Sequence, residues 1–84
     1  MDKNGKYIVF RRGESETFFT IIFSPDEYHS DIAHIFTQNY KEYEAYSAGY
    51  VKKIESGELI AYGESSSLGL SVKESDGERL NKLV

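Results

Sequence analysis

The 84-residue chain has no cysteine, no tryptophan and one proline. Without cysteine there is neither a disulfide framework nor a CxxC or CxxH zinc spacing, so nothing covalent or metallic can staple the fold. A domain this short buries only about 60–65% of the surface its unfolded chain exposes, and its stability must come from packing. Basic residues are in deficit: ten Lys and Arg face fourteen Asp and Glu, giving a net charge of −4. They are also scattered, which excludes the positive face that nucleic acid requires. No apolar run approaches the length of a bilayer span, and Met1-Asp2-Lys3-Asn4-Gly5 has no apolar stretch behind its charge. A secretory leader and a membrane partner are therefore not expected, and the missing cysteines point to the cytoplasm.

What the chain does have is aromatic rings, seven Tyr and five Phe. Each buries a large area, and tyrosine keeps a polar tip that can stay hydrated or bonded. No repeat or low-complexity tract appears beyond three consecutive serines, so a single domain spanning 1–84 is expected.

Residues 6–10 (KYIVF) and 17–23 (TFFTIIF) are rich in β-branched and aromatic residues and flank a polar hexapeptide, which reads as a hairpin. The second run is apolar almost throughout, as in a central strand covered on both faces. Ser24, Pro25 and Glu27 form a capping box with proline at the first helical position, so a helix is expected to begin there. Tyr28, Ile32, Ile35 and Phe36 would form its apolar stripe. Residues 43–54 and 59–62, separated by Glu55-Ser56-Gly57-Glu58, read as a second hairpin. Ser75-Asp76-Gly77-Glu78 offers caps for a short terminal helix packed through Leu80, Leu83 and Val84. The expected fold is α+β, ordered β-β-α-β-β-loop-α, with helices on a mixed or antiparallel sheet of about four or more strands.

Both histidines fall on the expected first helix. At 100° per residue His29 and His34 point about 140° apart, and Asp31 with His34 supplies only two ligands, so no metal site is expected. His29, in the first turn, has the side chain whose charge changes near neutral pH. The positive helix end would favour its neutral form, the one a base or nucleophile needs. A half-exposed surface histidine fits the same position. The second candidate is the segment AYGESSSLGL, 61–70, where Gly63 and Gly69 bracket Ser65, Ser66 and Ser67. Backbone amides with serine hydroxyls in such a turn can nest a phosphate, although an ordinary polar turn has the same composition and Glu64 opposes an anion. The tyrosines at 40, 43, 46 and 50 read as core or as an interaction surface.

Three segments taken together resemble the Janus-type protein histidine phosphatase family: KYIVF with Lys6 at its head, EYHSDI (27–32), and YGESSSLG (62–69), in that order. The resemblance, to a short divergent member, implies an α+β phosphohistidine phosphatase that needs no metal or cofactor. By the same resemblance His29 is catalytic, as base or nucleophile, and Lys6, Ser65, Ser66 and Ser67 hold phosphate. A phosphorylated protein or a small phosphoramidate would be its partner. The chain departs from the family at Ala48-Gly49-Tyr50, where Tyr50 stands in place of an arginine. An uncharged ring cannot replace a bidentate clamp. That departure keeps open an inactive module binding phosphate or another acidic ligand, or a protein-interaction domain.

Overall fold

A computed structural model describes residues 4–83. The elements are β1 (Gly5–Arg12), β2 (Phe18–Phe23), α1 (His29–Asn39), β3 (Tyr43–Lys53), β4 (Leu59–Tyr62), β5 (Glu64–Ser65), β6 (Leu70–Ser71) and α2 (Asp76–Asn81). The first four strands form one antiparallel sheet ordered β2-β1-β3-β4, and β5 and β6 form a separate hairpin. The α+β class and the element order agree with the sequence expectation. The serine segment, expected as a loop, is instead the tip of the β5–β6 hairpin. Val84 and the first three residues lie outside the described range.

One strand is misplaced by the sequence reading. The apolar run of β2 suggests a central strand, yet β2 lies at the sheet edge and β1 is central. The reason is pairing: β1 meets β2 on one side and β3 on the other, and Lys6 to Phe10 are all buried. In β2 the apolar residues include Phe19 and Ile22, which remain exposed.

Alternation along β1 divides the core. Ile8 and Phe10 face α1, packing with Ala33, Ala48, Ile32 and Phe36. Tyr7 and Val9 face α2, packing with Val51, Leu59 and Leu80. Leu68 and Leu70 of the serine hairpin pack into the α1 cluster, so the hairpin and α1 cover the same face of the sheet.

The start of α1 also differs from expectation. Ser24 Oγ accepts the Asp26 N–H at 3.1 Å, and the Glu27 N–H donates to the Ser24 carbonyl at 3.1 Å, so residues 24–27 form a turn rather than a capping box. Helix begins at His29, after the extended Tyr28. The Glu27 carbonyl, which a longer helix would use internally, accepts Lys6 Nζ at 2.6 Å instead. The packed stripe is consequently His29, Ile32, Ala33 and Phe36, while Tyr28 and Ile35 are exposed.

On the opposite face α2 is anchored by a fully buried carboxylate. Asp76 accepts hydrogen bonds from Tyr7 Oη, from Ser47 Oγ at 2.8 Å and from the Lys73 N–H at 3.0 Å, and Arg79 approaches within 3.6 Å. Burial, then the Asp76 hydrogen bond and charge, push the Tyr7 hydroxyl far above its ordinary pKa, so it stays a donor. Replacing one member strands the others, because a buried hydroxyl without a partner loses its water for nothing. Asp76→Ala is therefore expected to cost roughly 3–5 kcal/mol and Tyr7→Phe about 1–2 kcal/mol. Urea unfolding followed by far-UV circular dichroism checks the order of the two.

Candidate functional site

The site is built on one row of the sheet. Register places Phe23 of β2, Lys6 of β1, Tyr50 of β3 and Tyr62 of β4 directly across from one another. Parity with Ile8 and Phe10 turns the whole row toward α1. The first residue of α1, His29, sits over it, with its ring edge-on to Phe23 at 5.6 Å and to Tyr50 at 5.9 Å between centroids.

His29 is only 4% exposed. Its Nε2 lies 2.9 Å from the Gly49 carbonyl, and a carbonyl only accepts, so Nε2 carries the proton and Nδ1 keeps its lone pair in the neutral ring. Among the described residues no protein group bonds Nδ1 and no buried side-chain nitrogen is left without a partner, so Nδ1 retains contact with solvent. Burial lowers the His29 pKa most; the Gly49 bond opposes this, and the Lys6 charge lowers it further. The net direction is downward, which keeps the imidazole neutral at pH 7.

Gly49 is required where it stands. A Cβ there would come within 2.8 Å of the Tyr62 carbonyl and 2.9 Å of a Val72 methyl. Glycine inside a strand marks such close approach, and here it leaves the strand free to aim its carbonyl at His29.

Lys6 is 9% exposed, and no carboxylate pairs with it among the described residues. Its ammonium donates to the Glu27 carbonyl and lies 5.5 Å from the Tyr28 ring and 5.9 Å from the Tyr50 ring. Aromatic faces stabilise a cation without neutralising it. A largely buried positive charge therefore adjoins a neutral imidazole with one open nitrogen, an arrangement suited to attracting an anion beside a base.

The three serines are placed unequally. Ser65 is buried, and its Oγ accepts the Leu68 N–H at 3.3 Å, tightening the turn. Ser66 and Ser67 are exposed at the tip, and their amides make no backbone hydrogen bond among the described residues. A shallow depression of about 240 Å³ lies along the hairpin between Glu64, Ser66 and Gly69. Tyr50 links the hairpin to the row: its ring touches His29 on one side, stacks on Tyr62 at 5.7 Å, and lies where a Cβ on Gly63 would come within 3.0 Å. Gly63 has φ +76°, a conformation only glycine adopts freely, and from it the chain turns out of β4 into the hairpin.

Lys6, His29 and the serine hairpin thus share one face, and His29 and Lys6 both border the Tyr50 ring. Asp31 and His34 lie on the exposed side of α1, and no group of three or more His, Asp or Glu converges among the described residues. The sequence reading missed the Gly49 carbonyl and the roles of Phe23 and Tyr28. The glycine within a strand was the one available signal, because register is what brings the other two to the site. No family model, curated protein or solved structure matches this chain.

The His29 shift has a consequence for stability. Unfolding restores the ordinary pKa near 6.5, so as pH falls through 6.5 the unfolded chain takes up a proton that the folded chain refuses. The unfolded state then binds more protons, and stability falls with falling pH. Thermal unfolding between pH 7.5 and 5.5 is expected to show the wild type losing stability toward acid, with His29→Gln giving a flatter profile.

Proposed function

We propose that Lys6 and Tyr50 of the row, His29 above it and the serine hairpin beside it receive a phosphoryl group carried on nitrogen, and that the chain hydrolyses phosphohistidine or a related phosphoramidate. The observation that carries this reading is His29: buried, fixed through Nε2 and open at Nδ1, near an ammonium that pairs with no carboxylate among the described residues. In the nucleophilic form of the reaction, the Nδ1 lone pair attacks phosphorus while the substrate P–N bond breaks. The departing nitrogen keeps the bonding electrons and takes a proton from solvent. Water then cleaves the phosphorylated His29 and regenerates the free imidazole. In the general-base form, Nδ1 removes a proton from water as that water attacks phosphorus. Either path develops charge on the equatorial oxygens, and Lys6 and the Ser66 and Ser67 amides are the donors suited to stabilise it.

The resemblance to the Janus-type phosphatases supports the same assignment of His29 and of Lys6. Of the three serines the geometry favours Ser66 and Ser67, which are exposed at the tip, over Ser65, which is buried with its Oγ accepting the Leu68 N–H within its own turn. A second reading, phosphate binding without turnover, is favoured by Tyr50, whose uncharged ring fills the space between His29 and Gly63.

Release of phosphate from a phosphohistidine peptide, compared between wild type and His29→Ala, tests the proposal. Turnover by the wild type and a loss on the order of 10²-fold or more in the variant is expected. Because the His29 pKa is lowered, the rate should hold below pH 6.5 before falling on the acid side. No turnover together with amide shifts at Ser66 and Ser67 in an inorganic phosphate titration would establish the binding reading. Neither response would remove the site.

A further inference from the structure

The two edges of the main sheet are finished differently. On β4, the outward backbone groups of Leu59 are covered by one side chain: the Leu59 N–H donates to Asn81 Oδ1 at 2.8 Å, and Asn81 Nδ2 donates to the Leu59 carbonyl at 2.9 Å. Nothing equivalent covers β2 among the described residues. The Arg12 N–H donates to the Thr17 carbonyl at 3.0 Å, which fixes these two as a hydrogen-bonded pair beside the β1–β2 ladder. Alternation from that pair turns the backbone groups of Phe19, Ile21 and Phe23 toward β1 and those of Phe18, Thr20 and Ile22 outward.

Natural sheets blunt a free edge with lysine, proline, a bulge or a charge. Phe18–Phe23 has none of these. Its side chains add to the exposure: Phe19 is 51% and Ile22 41% exposed, on opposite faces, and Phe18 and Thr20 line a groove at the same edge together with Glu16, Arg79, Lys82 and the 50% exposed Leu83.

We propose that this edge pairs with β2 of a second copy of the chain, antiparallel about a twofold axis at Thr20. The partner follows from self-complementarity. An identical antiparallel strand offers outward groups at the same three positions, and centring the axis on Thr20 matches all of them. Phe18 then opposes Ile22 of the second copy, Thr20 opposes Thr20, and Ile22 opposes Phe18. On the α1 face, Phe19 meets Ile21 of the second copy. Within residues 18–22 every opposed pair is apolar on apolar or threonine on threonine, cross-strand pairs that stabilise a sheet, and the same patch serves both chains as a twofold interface requires. The two four-stranded sheets become one continuous sheet.

The absence of cysteine gives a clean test, because one introduced thiol is the only one in the chain. Hydrogen-bonded antiparallel partners have Cα atoms about 5.5 Å apart, within disulfide range. Thr20→Cys, at the axis, is expected to form an intermolecular disulfide on mild oxidation. Ile22→Cys, whose equivalents stand four residues apart along the paired strands, roughly 13 Å, should stay reduced. By light scattering on a sizing column the wild type should run at twice the 9.6 kDa chain mass, and Ile22→Lys as a monomer with unchanged circular dichroism. A wild type monomeric up to its solubility limit overturns the proposal. Equal cross-linking of both cysteine variants also overturns it, since association would then lack the register.

Discussion

Period-two alternation along β1 is the constraint on which the rest of the molecule depends. β1 is paired on both sides and covered on both faces, so each of its side chains is committed to one of two cores. Tyr7 reaches Asp76 and thereby fixes α2. Lys6, one residue earlier, must then face α1, beneath the first helical turn. A one-residue slip would exchange these roles, placing the ammonium against Leu80 and the tyrosine against His29. The stability of one face and the chemistry of the other are thus set by the same register.

Lys6 illustrates what that register demands. An ammonium removed from water normally needs a carboxylate or a full set of acceptors. Among the described residues Lys6 has one carbonyl and two aromatic faces instead. The carbonyl is available because the chain from Ser24 to Glu27 turns rather than winding into helix, so the late start of α1 and the burial of Lys6 have a single origin. His29 tolerates the neighbouring cation because burial keeps it neutral. The fixed tautomer then follows from Gly49, whose lack of a side chain lets β3, β4 and Val72 close together.

The sequence disclosed most of the elements, because strand runs, turns and glycines are local signals. β1, the β3–β4 hairpin and the terminal helix could be read from composition alone. Two features could not. The apolar richness of β2 says that its side chains avoid water, but not whether another strand supplies the second set of backbone partners; that choice is made by β3, which begins 20 residues after β2 ends. The capping box at Ser24 is locally favourable, yet it competes with the Lys6 bond to Glu27, and that partner lies 21 residues away in the chain. At the site, Lys6 stood out only through the family resemblance, whereas His29 and the serine segment were each visible as residue types in a suggestive setting. Their shared face was not, because it depends on Leu68 and Leu70 folding the hairpin back onto the α1 core.

The placement of the site relative to the two sheet edges follows from the strand order. The row runs from Phe23 at the β2 end to Tyr62 at the β4 end, and the serine hairpin emerges through Gly63 immediately beyond Tyr62. Access to His29 Nδ1 and to the tip amides is therefore from the α1 face, whereas the free backbone groups of β2 lie in the plane of the sheet. Pairing along β2 would extend the sheet laterally beside Phe23 without covering that face. The two features are separable for the same reason: in-plane backbone bonding consumes Phe18, Thr20 and Ile22, none of which belongs to the Phe23, Lys6, Tyr50 and Tyr62 row.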